Sequence, residues 1–446
     1  MLRLRTQFLL AASLLVGSSD LFAAKYFPTS PLIQIGDDID IVFDSSIALD
    51  VKDNLYSAVD KVSATSLTIK PGFTLEYAKD SPLYATVTAQ RSFVNYYGKS
   101  TLTRLNNYQD NFSGSLYIDQ GGPLKVNLAS SYNESARNDD LTSKGIDGAL
   151  LGETLVRQGS YSHSLKADYR LTEKLSASVG FKNNYNNYLN PTKILDVNTT
   201  TGDETTTFNT NSLSEQNAKT FNVDFTYVAP GELITYGFSF SHATTNFSAA
   251  PYYKKVIDGT THLTTTDTTT RPVTPDPAAL TIFKNVKQFY GLTASGKPTS
   301  SGKLRLNAKA GFSSSTTSDS TAGDSKLSGA TFDLSLNHTL TDRISHELTA
   351  TRDTSPTPGG ADSQTKTYAY MINYSATEML TLNFHVIKSD VLTGGSTIGT
   401  MDYNLGAVYT YNSHFSVNAS LDSLMTTTSA SSFRANSLSI QASFRY

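Results

Sequence analysis

In the stretch SLKADYRL, Lys166, Asp168 and Arg170 occupy every second position, and Leu165, Ala167 and Tyr169 fill the places between. A period of two is that of a β-strand, so one face of this segment is charged and the other apolar. The chemistry open to such a face is electrostatic. It can hold water, pair with opposite charge and steer a charged solute, but it offers no nucleophile. The same parity, followed run by run, puts Asp40, Asp44, Lys70, Glu76, Lys125, Lys182, Asp224, Arg305, Lys309, Asp333, Glu347 and Arg445 on polar faces. Both signs occur, with a slight basic excess. Burying an unpaired charge is costly, so this set predicts a wet interior whose lining these residues form.

Other chemistry is sparse. Cysteine is absent, which excludes disulfides, thiol catalysis and cysteine-held metals. His163, His242, His338 and His346 fall on the apolar parity near strand ends, where a polar ring suits a membrane interface. Gly323, Asp324 and Ser325 look like a hydrolase nucleophile segment, but they read as part of a Ser-rich loop. Asp139 and Asp140 are adjacent acids in another loop, which solvation explains. The chain is therefore read as no enzyme, with no metal and no cofactor.

The elements that position the charges follow from the same alternation. Paired apolar-alternating runs meet across short connectors such as AKDSP, DQGGP, LTEKL, VAPGE, LTDRI, SATEM and YNSHF, while longer polar stretches separate the pairs. Strict alternation of short and long connections is the pattern of an outer-membrane barrel. The count is about 18 strands (16–18), each of roughly ten residues, the length a tilted strand needs to cross a bilayer. The fold class expected is all-β: a transmembrane antiparallel up-and-down barrel. Composition agrees, since 38% hydrophobic residues is low for a globular core and 17% charged residues is low for a disordered chain. Tyr77, Tyr169, Tyr227, Tyr374, Tyr411 and Tyr446 fall on the lipid parity at turn-proximal strand ends and predict an aromatic girdle.

At the amino end, Arg3 and Arg5 precede an apolar run from Phe8 to Val16 and small residues at Ala23 and Ala24. This predicts a signal peptide over 1–24, a short periplasmic segment over 25–38 and a single barrel over 39–446. Removing Arg3, Arg5 and Asp20 with it takes the formal charge from -3 to -4, far from a nucleic-acid-binding excess.

The last strand, SLSIQASFRY, sets Leu438, Ile440, Ala442, Phe444 and Tyr446 against Ser439, Gln441, Ser443 and Arg445. It resembles the carboxyl-terminal signal of bacterial outer-membrane proteins, which implies the barrel-assembly machinery as a partner through Phe444 and Tyr446. IALDVKDNLYSA followed by LTIKPGFTLEYAKDSPLYATVTAQ resembles the opening of the β-barrel porin 2 family, whose genes often lie near those for exopolysaccharide. Asp53, Asn54 and Tyr56, with Leu55 inserted, and then Pro71 and Gly72 carry that resemblance, over about a quarter of the chain.

The segment before the first strand is too short for a folded plug, so a barrel with no plug domain is expected. Between Thr244 and Asn285 the longest loop offers Tyr252, Tyr253, Lys254, Lys255 and Arg271 as constriction candidates, should it fold into the pore. The function expected is a porin-like outer-membrane channel for passive diffusion of small hydrophilic solutes. Exopolysaccharide export, saccharide uptake and loop-mediated surface adhesion are the competing readings, and Tyr84 and Tyr117 are lumenal aromatics that could stack on sugars. Expected partners are outer-membrane lipid, lipopolysaccharide and small solutes or saccharides, with both termini periplasmic. A homo-oligomer, common among porins, is left open.

Overall fold

The computed structural model describes residues 31–446 apart from 56–62, 79–80, 98–105, 120, 138–155, 190–195, 198–203, 206–213, 250–252, 258–259, 265–282, 300, 320–322, 357–361, 394 and 429–430. Eighteen long strands make one antiparallel wall. In chain order they are β1 (Ile39–Lys52), β2 (Ala64–Tyr77), β3 (Leu83–Tyr97), β4 (Asn107–Asp119), β5 (Leu124–Arg137) and β6 (Val156–Arg170). Then come β7 (Leu175–Tyr188), β8 (Ser214–Val228), β9 (Ile234–Ala249), β10 (Phe283–Gly296), β11 (Leu304–Asp319) and β12 (Gly323–Thr341). The wall is completed by β13 (Ile344–Pro356), β14 (Asp362–Ser375), β15 (Leu380–Thr393), β16 (Ser396–Asn412), β17 (Phe415–Thr427) and β18 (Ser432–Arg445). Each pairs with its sequence neighbour, and β1 pairs with β18 from Asp44↔Arg445 to Lys52↔Ser437, which closes the barrel. A short strand, Ile33–Ile35, adds to β1 beside Ile39–Ile41, where β18 has run out.

The strands run from 13 to 19 residues, longer than the ten or so a bilayer requires, so the wall projects beyond the apolar layer. Phe73, Val87, Phe112, Leu292, Leu405 and Leu421 stand exposed on one face, in step with the alternation. A closed wall leaves no edge unpaired, which is the condition for β-structure to cross lipid with an apolar band outside. The six girdle tyrosines named above are all exposed. No helix among the described residues is long and apolar enough to cross a membrane.

The short turns have a shared chemistry. Thr172 Oγ1 accepts the Lys174 and Leu175 N–H groups at 3.3 and 3.0 Å, Thr341 those of Arg343 and Ile344 at 3.2 and 3.1 Å, and Thr377 those of Met379 and Leu380 at 3.2 and 2.9 Å. Asn412 Oδ1 does the same for His414 and Phe415 at 2.9 and 2.8 Å. Such residues satisfy turn donors that no strand partner reaches. Between β8 and β9 the Ala229–Glu232 turn uses Pro230 and then Gly231 at φ +87°, the positive value a type II turn demands, with Glu232 N–H donating to Ala229 O at 3.0 Å.

Little of the interior is apolar. Ser239, Asn285, Ser313, Ser315, Thr317, Thr354 and Ser363 are among the least accessible side chains. They cluster around a break in the wall. The β12–β13 ladder stops at Phe332↔Arg352, whereas β11–β12 continues to Asp319↔Gly323. Beyond the break β13 lies against β11, with Ser313 Oγ 3.1 Å from Thr354 Oγ1, and Lys287 of β10 reaches Asp353 at 2.6 Å. Here the wall folds onto its own inner face and hydrogen bonds replace apolar packing.

Candidate functional site: the charged lumen wall

All fifteen charges assigned to the lining stand on the face opposite the exposed apolar residues, as parity requires. Some are brought together. Arg445 lies 3.4 Å from Asp44 and 3.7 Å from Glu76, across β18, β1 and β2, and Thr74 Oγ1 donates to Asp44 at 3.1 Å. Lys166 pairs with Asp168 at 2.9 Å along one strand. Lys125 pairs at 2.5 Å with Asp119, a residue the alternation had left unnamed, and Tyr117 also donates to Asp119 at 3.2 Å. Lys309 faces Asp333 in register and sets its Nζ 4.4 Å from the Phe289 ring centre. Others in the set, such as Lys182 and Asp224, stand on neighbouring strands among Ser and Asn.

Strand order arranges these charges around the lumen. On β5–β7 the inward-facing residues include Lys125, Lys166, Arg170 and Lys182, against Asp168 on the same strands and Asp119 at the end of β4. Nine strands away in a wall of eighteen is the diametrically opposite side. There β13–β17 present Glu347, Asp353, Asp402 and Asp422 with no inward Lys or Arg among the described residues, and His385 on β15. Asn404 donates to Asp422, Ser420 Oγ donates to the same carboxylate at 3.2 Å, and Ser335 Oγ donates to Glu347 at 3.0 Å. Lys125 and Lys166 are paired with Asp119 and Asp168, and Asp353 with Lys287 of β10, so the separation rests on Arg170 and Lys182 on one side and on Glu347, Asp402 and Asp422 on the other, charges that set up a field across the lumen. Low-dielectric walls concentrate such a field, so it can orient a ligand carrying charge at both ends.

His385 and Asp402 escaped the sequence reading because each sits in an apolar-looking run, and Asp422 because Leu424 follows it on the same face. In LNFHVIKSDVL and MDYNLGAVY the inward positions hold Ile387, Val391 and Val408 as well as charge, which blurs the contrast between faces.

Several expectations are corrected. Gly323, Asp324 and Ser325 are strand residues paired with Asp319, Ser318 and Thr317, because the β11–β12 hairpin continues past the break. His163 and His242 lie mid-strand, the strands being longer than the apolar layer. His163 Nδ1 is 2.9 Å from Ser130 Oγ. In the long loop, Tyr253, Lys254 and Lys255 belong to a small hairpin, Tyr253–Ile257 with Thr260–Thr264, while Tyr252 and Arg271, like Asp139 and Asp140, lie outside the described residues. The segment 1–24 also lies outside them. Among the described residues no group of three or more His, Asp or Glu side chains is placed to hold a metal.

The outward face carries a feature that alternation alone does not show. Phe112, Tyr132, Tyr161 and Tyr185 form a row across β4–β7, with ring centres 6.3, 4.7 and 6.1 Å apart. Toward the long-loop end lie the Arg91–Asp110 pair at 2.5 Å and the Arg157–Glu134 pair at 2.6 Å, with Tyr132 donating to Glu134 at 2.7 Å.

No family model matches the chain, and no curated protein does. Among solved structures, the wall is similar to the ferripyoverdine receptor of the outer membrane of Pseudomonas aeruginosa bound to ferripyoverdine (TM-score 0.52, 9% identity, 91% of this chain and 72% of that one). It is likewise similar to P. aeruginosa FpvA bound to a heterologous pyoverdine (0.52, 10%, 91% and 72%) and to FpvAI in its complex with pyocin S2 (0.51, 11%, 87% and 57%). These likenesses are of fold. They run to receptors, so the expectations of a passive porin, of a saccharide or exopolysaccharide conduit and of a surface adhesin are set aside. The expectation of a barrel with no plug domain is set aside with them, because the solved barrels it is similar to are receptors and not open channels. The physical reason is that alternation describes only the wall: a polar inner face suits water and plug polypeptide equally well.

Proposed function

We propose that this chain is an outer-membrane receptor that binds a small charged organic ligand, of the class of a ferric chelate, inside its barrel and passes it inward. The observation that carries this reading is the separation of charge between β5–β7 and β13–β17. A ligand with both signs of charge gains on each wall, whereas a neutral solute gains on neither. The receptor likeness of the fold supports the same class. The short-turn end then faces the periplasm, lipid and lipopolysaccharide surround the apolar band, and Phe444 and Tyr446 are read by the assembly machinery.

Equilibrium dialysis of the purified barrel against cationic, anionic and zwitterionic ferric chelates of matched size tests the reading. The expected result is saturable binding of one class, weakened by Asp402→Asn with Asp422→Asn and by Lys166→Ala. If no chelate binds saturably to folded protein, the reading fails.

A further inference from the structure

On the outward face, His338 of β12 and His346 of β13 oppose one another in register. Their facing nitrogens, His338 Nδ1 and His346 Nε2, are 3.1 Å apart, with the rings inclined at 58°. The other nitrogen of His346 lies 3.4 Å from the Tyr370 hydroxyl of β14, whose ring meets the imidazole edge-on. Around them the outward residues are apolar, with Leu304 opposite His338, Ile372 opposite His346, and Leu336 and Leu348 beside them. Without an ion the two rings share a hydrogen bond, one nitrogen donating and the other accepting according to tautomer, and a cation bound between them would take the place of that proton.

From this geometry we infer a binding site for a late first-row divalent cation, Cu²⁺, Ni²⁺ or Zn²⁺, held between His338 and His346. Metal–imidazole bonds of about 2.0–2.1 Å with nitrogens 3.1 Å apart subtend about 100° at the ion, an angle that suits tetrahedral and square-based geometries alike. Imidazole is the ligand these ions favour. With protons on His338 Nε2 and His346 Nδ1, both facing nitrogens offer lone pairs, and the Tyr370 oxygen accepts the His346 Nδ1–H. That is the outer hydrogen bond that fixes a metal-binding tautomer.

The remaining coordination positions fall to water. His338 lies three residues before the turn-capping Thr341, and His346 two residues after Ile344, which pairs with the exposed Tyr374, so the site is toward the turn end of the wall and not in its middle. The sheet holds the two ligands on adjacent strands, so the ion would clamp β12 to β13 below the point where their ladder parts.

The test is titration of the untagged, detergent-folded chain with CuCl₂, followed by electron paramagnetic resonance and calorimetry, and repeated with ZnCl₂. The expected result is one ion per chain with two nitrogen ligands. His338→Ala and His346→Ala should each weaken binding by about tenfold or more, with His163→Ala unchanged. Heat-dependent gel migration establishes that each variant is folded, and His346→Gln serves if the alanine variant is not. Wild-type affinity in the folded His338 and His346 variants, a single-nitrogen signal, or no binding below about 100 μM would each overturn the site.

Discussion

Arg445 on the last wall strand lies 3.4 Å from Asp44 on the first, so an ion pair spans the line along which the barrel closes. Glu76 shares the guanidinium at 3.7 Å, and the closing strands exchange backbone hydrogen bonds between Phe43 and Tyr446 beside it. The Arg445 side chain is 42% exposed, which limits the pair to about 1 kcal/mol or less. Arg445→Met should lower the urea midpoint slightly. Arg445→Glu, which gathers three carboxylates, should lower it further, by an amount that added salt reduces. Equal midpoints for the two variants would mean that the charges do not couple across the seam.

The turn threonines make a second prediction. Replacing Thr341 by Val leaves the Arg343 and Ile344 N–H groups without their acceptor. The turn is exposed, so water compensates in part and a loss of about 0.5–1.5 kcal/mol is expected from equilibrium unfolding in detergent. Thr172→Val and Thr377→Val should behave alike, since each removes an acceptor bonded to the N–H groups two and three residues on.

Glycines on the wall should divide by what their missing Cβ would meet. At Gly311 a methyl group would stand 2.1 Å from the Tyr290 carbonyl oxygen and 2.6 Å from the Gly291 Cα, both backbone. Gly311→Ala should therefore force β10 and β11 apart, at a cost of about 1–3 kcal/mol or more. At Gly406 the methyl would meet only the Asn383 amide, a side chain that can turn away. Gly406→Ala should be tolerated, as judged by yield of folded barrel and by urea midpoint.

Tyr161 stands between Tyr132 at 4.7 Å and Tyr185 at 6.1 Å in the outward row. Tyr161→Ala removes two ring contacts, each worth about 0.5–1.5 kcal/mol beyond area burial. The loss should exceed that for Tyr236→Ala, an exposed outward ring near a short turn with no ring contact among the described residues. Unfolding of both variants in the same detergent decides between an interacting row and four independent outward rings.

Which residues face outward was legible because the membrane imposes a period of two. Leu165 and Tyr169 against Lys166 and Asp168 is a pattern that local sequence writes in full, and it sets the strands, their parity and the aromatic girdle. The same rule failed at β15 and β16, where Ile387 and Val391 share the inward face with His385. A lumen lined partly by apolar side chains no longer separates itself from lipid by composition.

Pairing within a hairpin also follows from sequence, since a short turn leaves no other partner. Contacts between distant segments do not. Lys287 and Asp353 are 66 positions apart, and nothing near either announces that β13 leaves β12 and lies against β11.

By itself, then, the sequence determined an alternating wall with its oily and wet faces, its short turns and its last strand, because each depends on residues two or three positions apart. Only the tertiary structure decided that the wall closes at eighteen strands, that the break between β12 and β13 is filled by buried serines and threonines, and that Lys166 and His385 stand on opposite walls. Curvature and closure belong to the whole sheet, so no segment of the chain carries them alone.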